Sequence, residues 1–215
     1  MYNLIIVALL SYLVGSIPTS IIASKLKGGF DIRKRGSGNA GGTNVWRVLG
    51  WKIGVTVMVV DMLKGAFATY YVPQLFWSNG LPFNNLTPFE DITIVRIICG
   101  VAAILGHIWT LFAGFKGGKG VATGAGMLLG LAPVEFVVVM AVFGAVLGTS
   151  RYVSLGSISA TLAFPLTMFF RENIFNVNIQ GYHTLMFFAI GTSILLLYTH
   201  RENIKRLIAG TERKI

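Results

Sequence analysis

Long apolar runs alternate with short polar segments along nearly the whole chain. A helix of about 20 apolar residues is long enough to cross the hydrocarbon core of a bilayer. The pattern therefore predicts membrane-spanning helices, the first from about Leu4 to Ala23 and the second from about Ile53 to Val72. The third covers about Ile92 to Phe112, and two more run at about Val153–Phe170 and Tyr182–Thr199. Between them Gly120–Gly148 is apolar but broken by Pro133. Gly15 and Pro18 interrupt the first run, which neighbouring helices can tolerate by satisfying the freed backbone groups.

The polar segments assign the sides. Lys25, Lys27, Arg33, Lys34, Arg35, Arg47 and Lys52 crowd the segment after the first run, against one acid, Asp31. Lys116 and Lys119 follow the third run, Arg151 follows the broken one, and Arg201, Lys205, Arg206, Arg213 and Lys214 crowd the tail. The segment from Pro73 to Asp91 carries Glu90, Asp91, Phe76, Trp77 and Phe83 but no Lys or Arg. Basic segments stay cytoplasmic, so the N-terminus is expected outside and the C-terminus inside. If Gly120–Gly148 crossed once, the basic tail would emerge outside. The expected fold is therefore an all-α polytopic integral membrane helix bundle of five full spans plus a re-entrant pair of short helices turning near Pro133. That makes seven helical segments in a single domain, 1–215. One ordinary span with a misplaced tail is the alternative.

Composition agrees. Of 215 residues, 54% are hydrophobic and only 12% charged, about half the share of a soluble domain. The net charge of +10 would suit nucleic acid if it formed a continuous patch, but it is divided between apolar runs. No basic residue precedes the first run, which reads as a span and not as a signal peptide. Cys99 is the only cysteine and can form no intrachain disulfide. Three scattered histidines give no metal-ligand spacing, and no G-x-S-x-G elbow occurs.

Three polar clusters fall on the expected cytoplasmic side. In the first, Gly36, Ser37, Gly38, Asn39, Thr43 and Asn44 precede Arg47. Glycine lets a backbone approach a ligand, Ser, Asn and Thr supply donors, and a guanidinium fork suits phosphate. Thr43 or Asn44 could cap the helix that begins the second span. The second cluster sets Lys119 among Gly117, Gly118 and Gly120 at the entry to a helix, a phosphate cradle in physical terms though not a Walker A motif. In the third, His200 and Asn203 stand three residues apart, one face of a helix. Each has a plainer reading: a basic interface loop, a tight turn, a solvated tail. Ser154 and Ser157 follow Arg151 and read equally as packing serines. Asp61 and Lys64 share a helix face and read as a structural ion pair. His107 reads as a supporting residue, and Arg96 and Glu135 have no assigned role.

Taken in order, Gly36–Asn44 with Arg47, Gly106-His107 with Phe115–Thr123, and His200–Leu207 with Gly210 and Glu212 resemble the three motifs of the bacterial acyl-phosphate:glycerol-3-phosphate acyltransferases. The resemblance covers nearly the whole chain and departs nowhere in the motif cores. It implies a multi-pass enzyme of the bacterial inner membrane that moves a fatty acyl group from acyl phosphate to the 1-hydroxyl of sn-glycerol 3-phosphate. Lysophosphatidic acid and phosphate are the products, in the first acylation of phospholipid biosynthesis. The partners are the two substrates and membrane lipid, with no nucleic acid, metal or cofactor. The His-x-x-x-x-Asp motif of acyl-CoA-dependent enzymes is missing from the chain, as it is from that family.

An acyl phosphate already has a good leaving group, so no covalent intermediate is needed. Holding the reactants together can supply about 7–11 kcal/mol of the barrier. On this reading Ser37, Lys119 and His200 are catalytic. Gly36, Asn39, Thr43, Asn44, Arg47, Gly117, Gly118, Gly120, Ser157 and Asn203 bind substrate. A transporter for an anionic solute is the alternative, since broken helices and glycine-rich anion sites suit transporters too. A lipid-binding scaffold is a further one.

Overall fold

The computed structural model describes residues 2–77, 91–212 and 214. The chain is all-helical among these residues, with ten α-helices: α1 Tyr2–Gly15, α2 Thr19–Gly28, α3 Gly42–Leu49, α4 Trp51–Trp77, α5 Asp91–Ile108, α6 Val121–Leu131, α7 Pro133–Ser150, α8 Val153–Asn173, α9 Tyr182–Thr199 and α10 Arg201–Ile208. The expected outer loop around Phe83 and Glu90 lies outside the described residues. Among the described residues five apolar stretches are long enough to cross a membrane: Asn3–Gly28, Trp51–Trp77, Ile92–Ala113, Pro133–Ser150 and Val153–Asn173. A sixth is formed if α9 and α10, bent by 59°, are taken together. The protein is an integral membrane helix bundle.

The helices outnumber the expected segments because several runs are divided. Pro18 has no N–H to continue a helix, so the first run becomes α1 and α2. Pro133 divides the fourth run as the sequence suggests, but unequally. α6 has 11 residues, while α7 has 18 and can cross alone. The motif segment adds α3, and the tail adds α10.

The described residues form two compact units. The first holds α1 to α4, most of α5, and α6. Lipid exerts no hydrophobic pressure between helices, so close backbone approach must supply the contact. Glycines allow it in reciprocal pairs. A Cβ on Gly15 would lie 2.0 Å from the Ala103 carbonyl and one on Gly106 2.1 Å from that of Tyr12, so α1 and α5 cross almost backbone to backbone. Gly65 and Gly126 do the same for α4 and α6, at 2.2 Å from Thr123 O and 1.8 Å from Met62 O. The break at Pro18 frees carbonyls at membrane depth, which need donors. Lys64 Nζ reaches Ile17 O at 2.9 Å, and Thr110 Oγ1 donates to Ser16 O.

The second unit holds the first residues of α5 and all of α7 to α10. α7 packs on α8 and α8 on α9, while α10 touches both α8 and α9. Glu135 near the start of α7 accepts a hydrogen bond from Arg171 near the end of α8, giving that buried carboxylate the partner its sequence did not reveal. Arg96, the other unassigned charge, lies over the Tyr70 ring at 5.0 Å in the first unit.

Candidate active site

The first glycine-rich cluster is a loop wound around one buried amide. Asn44 is 2% exposed. Its Nδ2 donates to the carbonyls of Ile32, Arg35 and Asn39 at 3.3, 3.0 and 3.0 Å, and its Oδ1 accepts the Ser37 N–H at 2.9 Å. Gly36 has φ +60°, and a Cβ there would lie 2.2 Å from Asn44 Oδ1, so only glycine lets the loop close on that amide. Asn44 has no donor left for a substrate; it holds the loop. Neither Thr43 nor Asn44 is the N-cap, which is Gly41, and the helix they open is α3, ended by Gly50 before α4 begins. Thr43 is left on the exposed first turn of α3 with Arg47 one turn on, also exposed.

The second cluster is pressed onto the end of α5. Gly117 N donates to Ile108 O at 2.9 Å and Gly118 N to His107 O at 3.1 Å. A Cβ on Gly118 would lie 2.3 Å from His107 Nε2 and 2.9 Å from Ala40 O, so this loop fits between α5 and the first loop only without a side chain. Gly120, at φ +77°, turns the chain into α6.

The structure therefore brings the first two clusters together. A cationic clamp fastens them: Asp31 Oδ2 accepts from Arg33 Nη2 at 2.7 Å, and Arg33 Nη1 reaches across to Ala113 O at 2.7 Å and Lys116 O at 3.2 Å. The Arg33 hydrogen bond holds the Asp31 carboxyl down at about 2, against burial that pushes it up. Arg33, anonymous in a basic run, is thus taken up by structure. Arg47, Lys119 and the Ser37 hydroxyl are exposed and make no side-chain hydrogen bond or ion pair among the described residues. They are the donors these loops leave uncommitted.

Beneath both loops lies a polar cluster at the break in the first span. Asp61, 1% exposed, accepts from Thr19 Oγ1 at 2.6 Å and pairs with Lys64 Nζ at 2.7 Å, as its helix-face spacing predicts. His107 Nδ1 lies 3.5 Å from the same oxygen, a contact the sequence could not reveal across 46 positions, Asp61 to His107. Removing one partner of such a buried pair costs about 3–5 kcal/mol, because the other charge is left uncompensated.

The third cluster lies in the second unit and is built differently. His200 caps the end of α9 and the start of α10, so it and Asn203 do not continue one straight helix. His200 Nδ1 lies 2.9 Å from Leu196 O, and a carbonyl can only accept, so Nδ1 carries the proton. Asn203 Nδ2 donates to Glu212 Oε1 at 2.8 Å, Ser154 Oγ to the same oxygen at 2.8 Å, and Arg206 Nε to Oε2 at 2.7 Å. Burial pushes the Glu212 carboxyl up, but these three donors outweigh it and hold it below its ordinary value. Glu212 appears in the third motif, yet nothing in its spacing reveals it as a hub. Ser154, not Ser157, is the serine that joins it. Ser157 gives its only proton to Val153 O on its own helix, at 3.0 Å, and so has none for a phosphate.

The family profile described as glycerol-3-phosphate acyltransferase matches residues 5–210. This chain belongs to the glycerol-3-phosphate acyltransferase family. Curated relatives carrying that name include one from Chlorobium phaeobacteroides (strain BS1), 46% identical over all of this chain and 97% of its own length. Another, from Chlorobaculum tepidum, is 45% identical with the same coverage. Among solved structures, the glycerol 3-phosphate form of PlsY (YgiH), an integral membrane glycerol 3-phosphate acyltransferase, superposes with TM-score 0.74 and 38% identity. The match covers 99% of this chain and 95% of that one. Its lysophosphatidic acid form gives 0.72 and 37%. As a glycerol-3-phosphate acyltransferase the chain needs sites for anionic groups, and uncommitted Arg47, Lys119 and Ser37 are groups of that chemistry.

Proposed function

We propose that this glycerol-3-phosphate acyltransferase takes its acyl group from an acyl phosphate, releasing lysophosphatidic acid and phosphate at the cytoplasmic face of a bacterial inner membrane. One observation carries the reading. Two glycine loops are locked together by Asn44, Arg33 and backbone contacts, and the Ser37 hydroxyl, Arg47 and Lys119 remain exposed beside them without side-chain partners among the described residues. Such donors suit phosphate, which both substrates carry. The solved relative was captured with glycerol 3-phosphate and with lysophosphatidic acid, which agrees with substrate and product of this reaction.

In the proposed step the 1-hydroxyl oxygen of glycerol 3-phosphate attacks the acyl carbonyl carbon. The bond from that carbon to the phosphate oxygen breaks, and phosphate leaves with the bonding pair. The hydroxyl proton passes to the departing phosphate or to His200. Ser37, Arg47 and Lys119 stabilise charge on phosphate oxygens; the Gly117 and Gly118 N–H groups are already given to Ile108 O and His107 O, so these glycines shape the loops, as Gly36, Asn39, Thr43 and Gly120 do. His200 and Asn203 orient the glycerol moiety. Asn44 acts by holding Ser37 in place. The basic loops set the orientation, with the N-terminus outside and the C-terminus inside.

The test is phosphate release by the purified enzyme in detergent, given glycerol 3-phosphate with acyl phosphate or with acyl-CoA. Turnover with acyl phosphate alone is expected; turnover with acyl-CoA alone refutes the donor assignment.

A further inference from the structure

The mechanism above makes no use of the Asp61 cluster, although it holds two charges and a histidine inside the membrane, an expensive arrangement. A structural ion pair would need only Asp61 and Lys64. The third member, His107, has another tie. Its carbonyl accepts the Gly118 N–H at 3.1 Å, and its Nε2 would be 2.3 Å from a Cβ on Gly118, directly before Lys119. One imidazole therefore faces the carboxylate through Nδ1 and the glycine loop through Nε2. Asp61 is itself pinned by Thr19 at the head of α2 and by Lys64, whose ammonium also holds Ile17 O in the break of the first span. A cavity of about 10 Å3 lies where these parts meet, lined by Ile17, Thr19, Ala40, His107, Gly117 and Gly118. That is room for about one water, so the loop has little space to shift.

We infer that His107, oriented by Asp61, is a positioning residue that sets the Gly117–Gly120 loop and through it the placement of Lys119. The inference deepens the phosphate role assigned to Lys119 and rests on it. Rotation of an untethered imidazole would let the loop settle toward α5 and carry the ammonium away from the phosphate it holds. The effect falls on binding of one phosphate substrate more than on the chemical step.

The experiment is a double-mutant cycle on the purified enzyme, with KM and kcat for each substrate and a thermal melt in detergent. Lys119→Met identifies the substrate whose KM depends on the ammonium. His107→Leu is expected to raise that same KM about tenfold to a hundredfold while the melt stays cooperative. The double variant is expected to be no worse than the poorer single one, because both act on one contact. His107→Asn, whose amide can donate to Asp61 from the place of Nδ1, recovers most of the loss. Multiplying effects in the double variant overturn the inference, as does His107→Asn behaving like His107→Leu. Should His107→Leu not fold, Asp61→Asn with Lys64→Met removes the carboxylate's hold without leaving a lone charge; an unchanged KM there overturns the inference. Wild-type kinetics in His107→Leu overturn the positioning alone, whereas wild-type kinetics in Lys119→Met overturn the phosphate role as well.

Discussion

The two units hold their motif residues by different physics. In the first, the loops are fixed largely by shape: glycines press backbone onto backbone and a buried amide threads the loop, with the Asp31–Arg33 clamp beside them. In the second, one carboxylate, Glu212, gathers Ser154, Asn203 and Arg206 at the end of the chain, where Arg206 is still half exposed. The first arrangement is intolerant of added volume. The second is intolerant of lost charge and responds to acid. The contrast shows that one family signature can be maintained by packing in one place and by charge-assisted hydrogen bonds in another.

The sharpest test of the contrast is whether the uncommitted donors matter while their committed neighbours only support them. Lys119→Ala and Ser37→Ala are each expected to lower kcat/KM by about a hundredfold to a thousandfold, the scale seen when a donor to phosphate or developing charge is removed. Near wild-type phosphate release in both would erase the distinction between committed and uncommitted groups. Gly118→Ala adds a single carbon where His107 Nε2 and Ala40 O leave no room. It is expected to lower activity about a hundredfold, the scale of a 1 Å misplacement. A Gly→Ala variant with unchanged kcat/KM would show that the loop is not fixed by shape.

Glu212→Gln is expected to have a smaller effect, since its Arg206 bond is partly solvated. A loss of about 1 kcal/mol should appear as faster hydrogen exchange in α10, with α6 unchanged. Acid should reproduce it. The Glu212 and Asp31 carboxyls are both held below their ordinary values in the folded chain. Their stabilisation is therefore full above the unfolded values, about 4, and is lost as pH falls through the folded ones, about 2 for Asp31. Hydrogen exchange between pH 5 and pH 3 should loosen α10 and leave the glycine contacts of α4 and α6 protected. Uniform loosening would break the contrast. Smallest of all, Ser157→Ala removes only a bond to Val153 O of its own helix and should leave phosphate release within twofold, about 0.4 kcal/mol.

Membrane residence, helical class and the approximate spans were legible because lipid imposes one requirement on every spanning residue, and composition records it. The three motifs were legible because Gly, Ser, Asn and Lys at that density serve no need of topology. The roles within them were not. Asn44 and Arg47 both looked like ligand groups, yet one is enclosed by carbonyls and the other stands exposed. Arg33 was one cation among several until its carbonyl partners 80 residues away fixed it. His200 and Asn203 looked like one helix face until the bend at His200 separated α9 from α10.

Sequence by itself determined the solvent, the helical class and the family, because these follow from hydrophobic run length and from short motifs in fixed order. Only the tertiary structure decided which polar groups are occupied and which are open. A side chain's donors are claimed by whatever lies within about 3 Å, and for Asp61 and His107, or Ser154 and Glu212, that neighbour is remote along the chain.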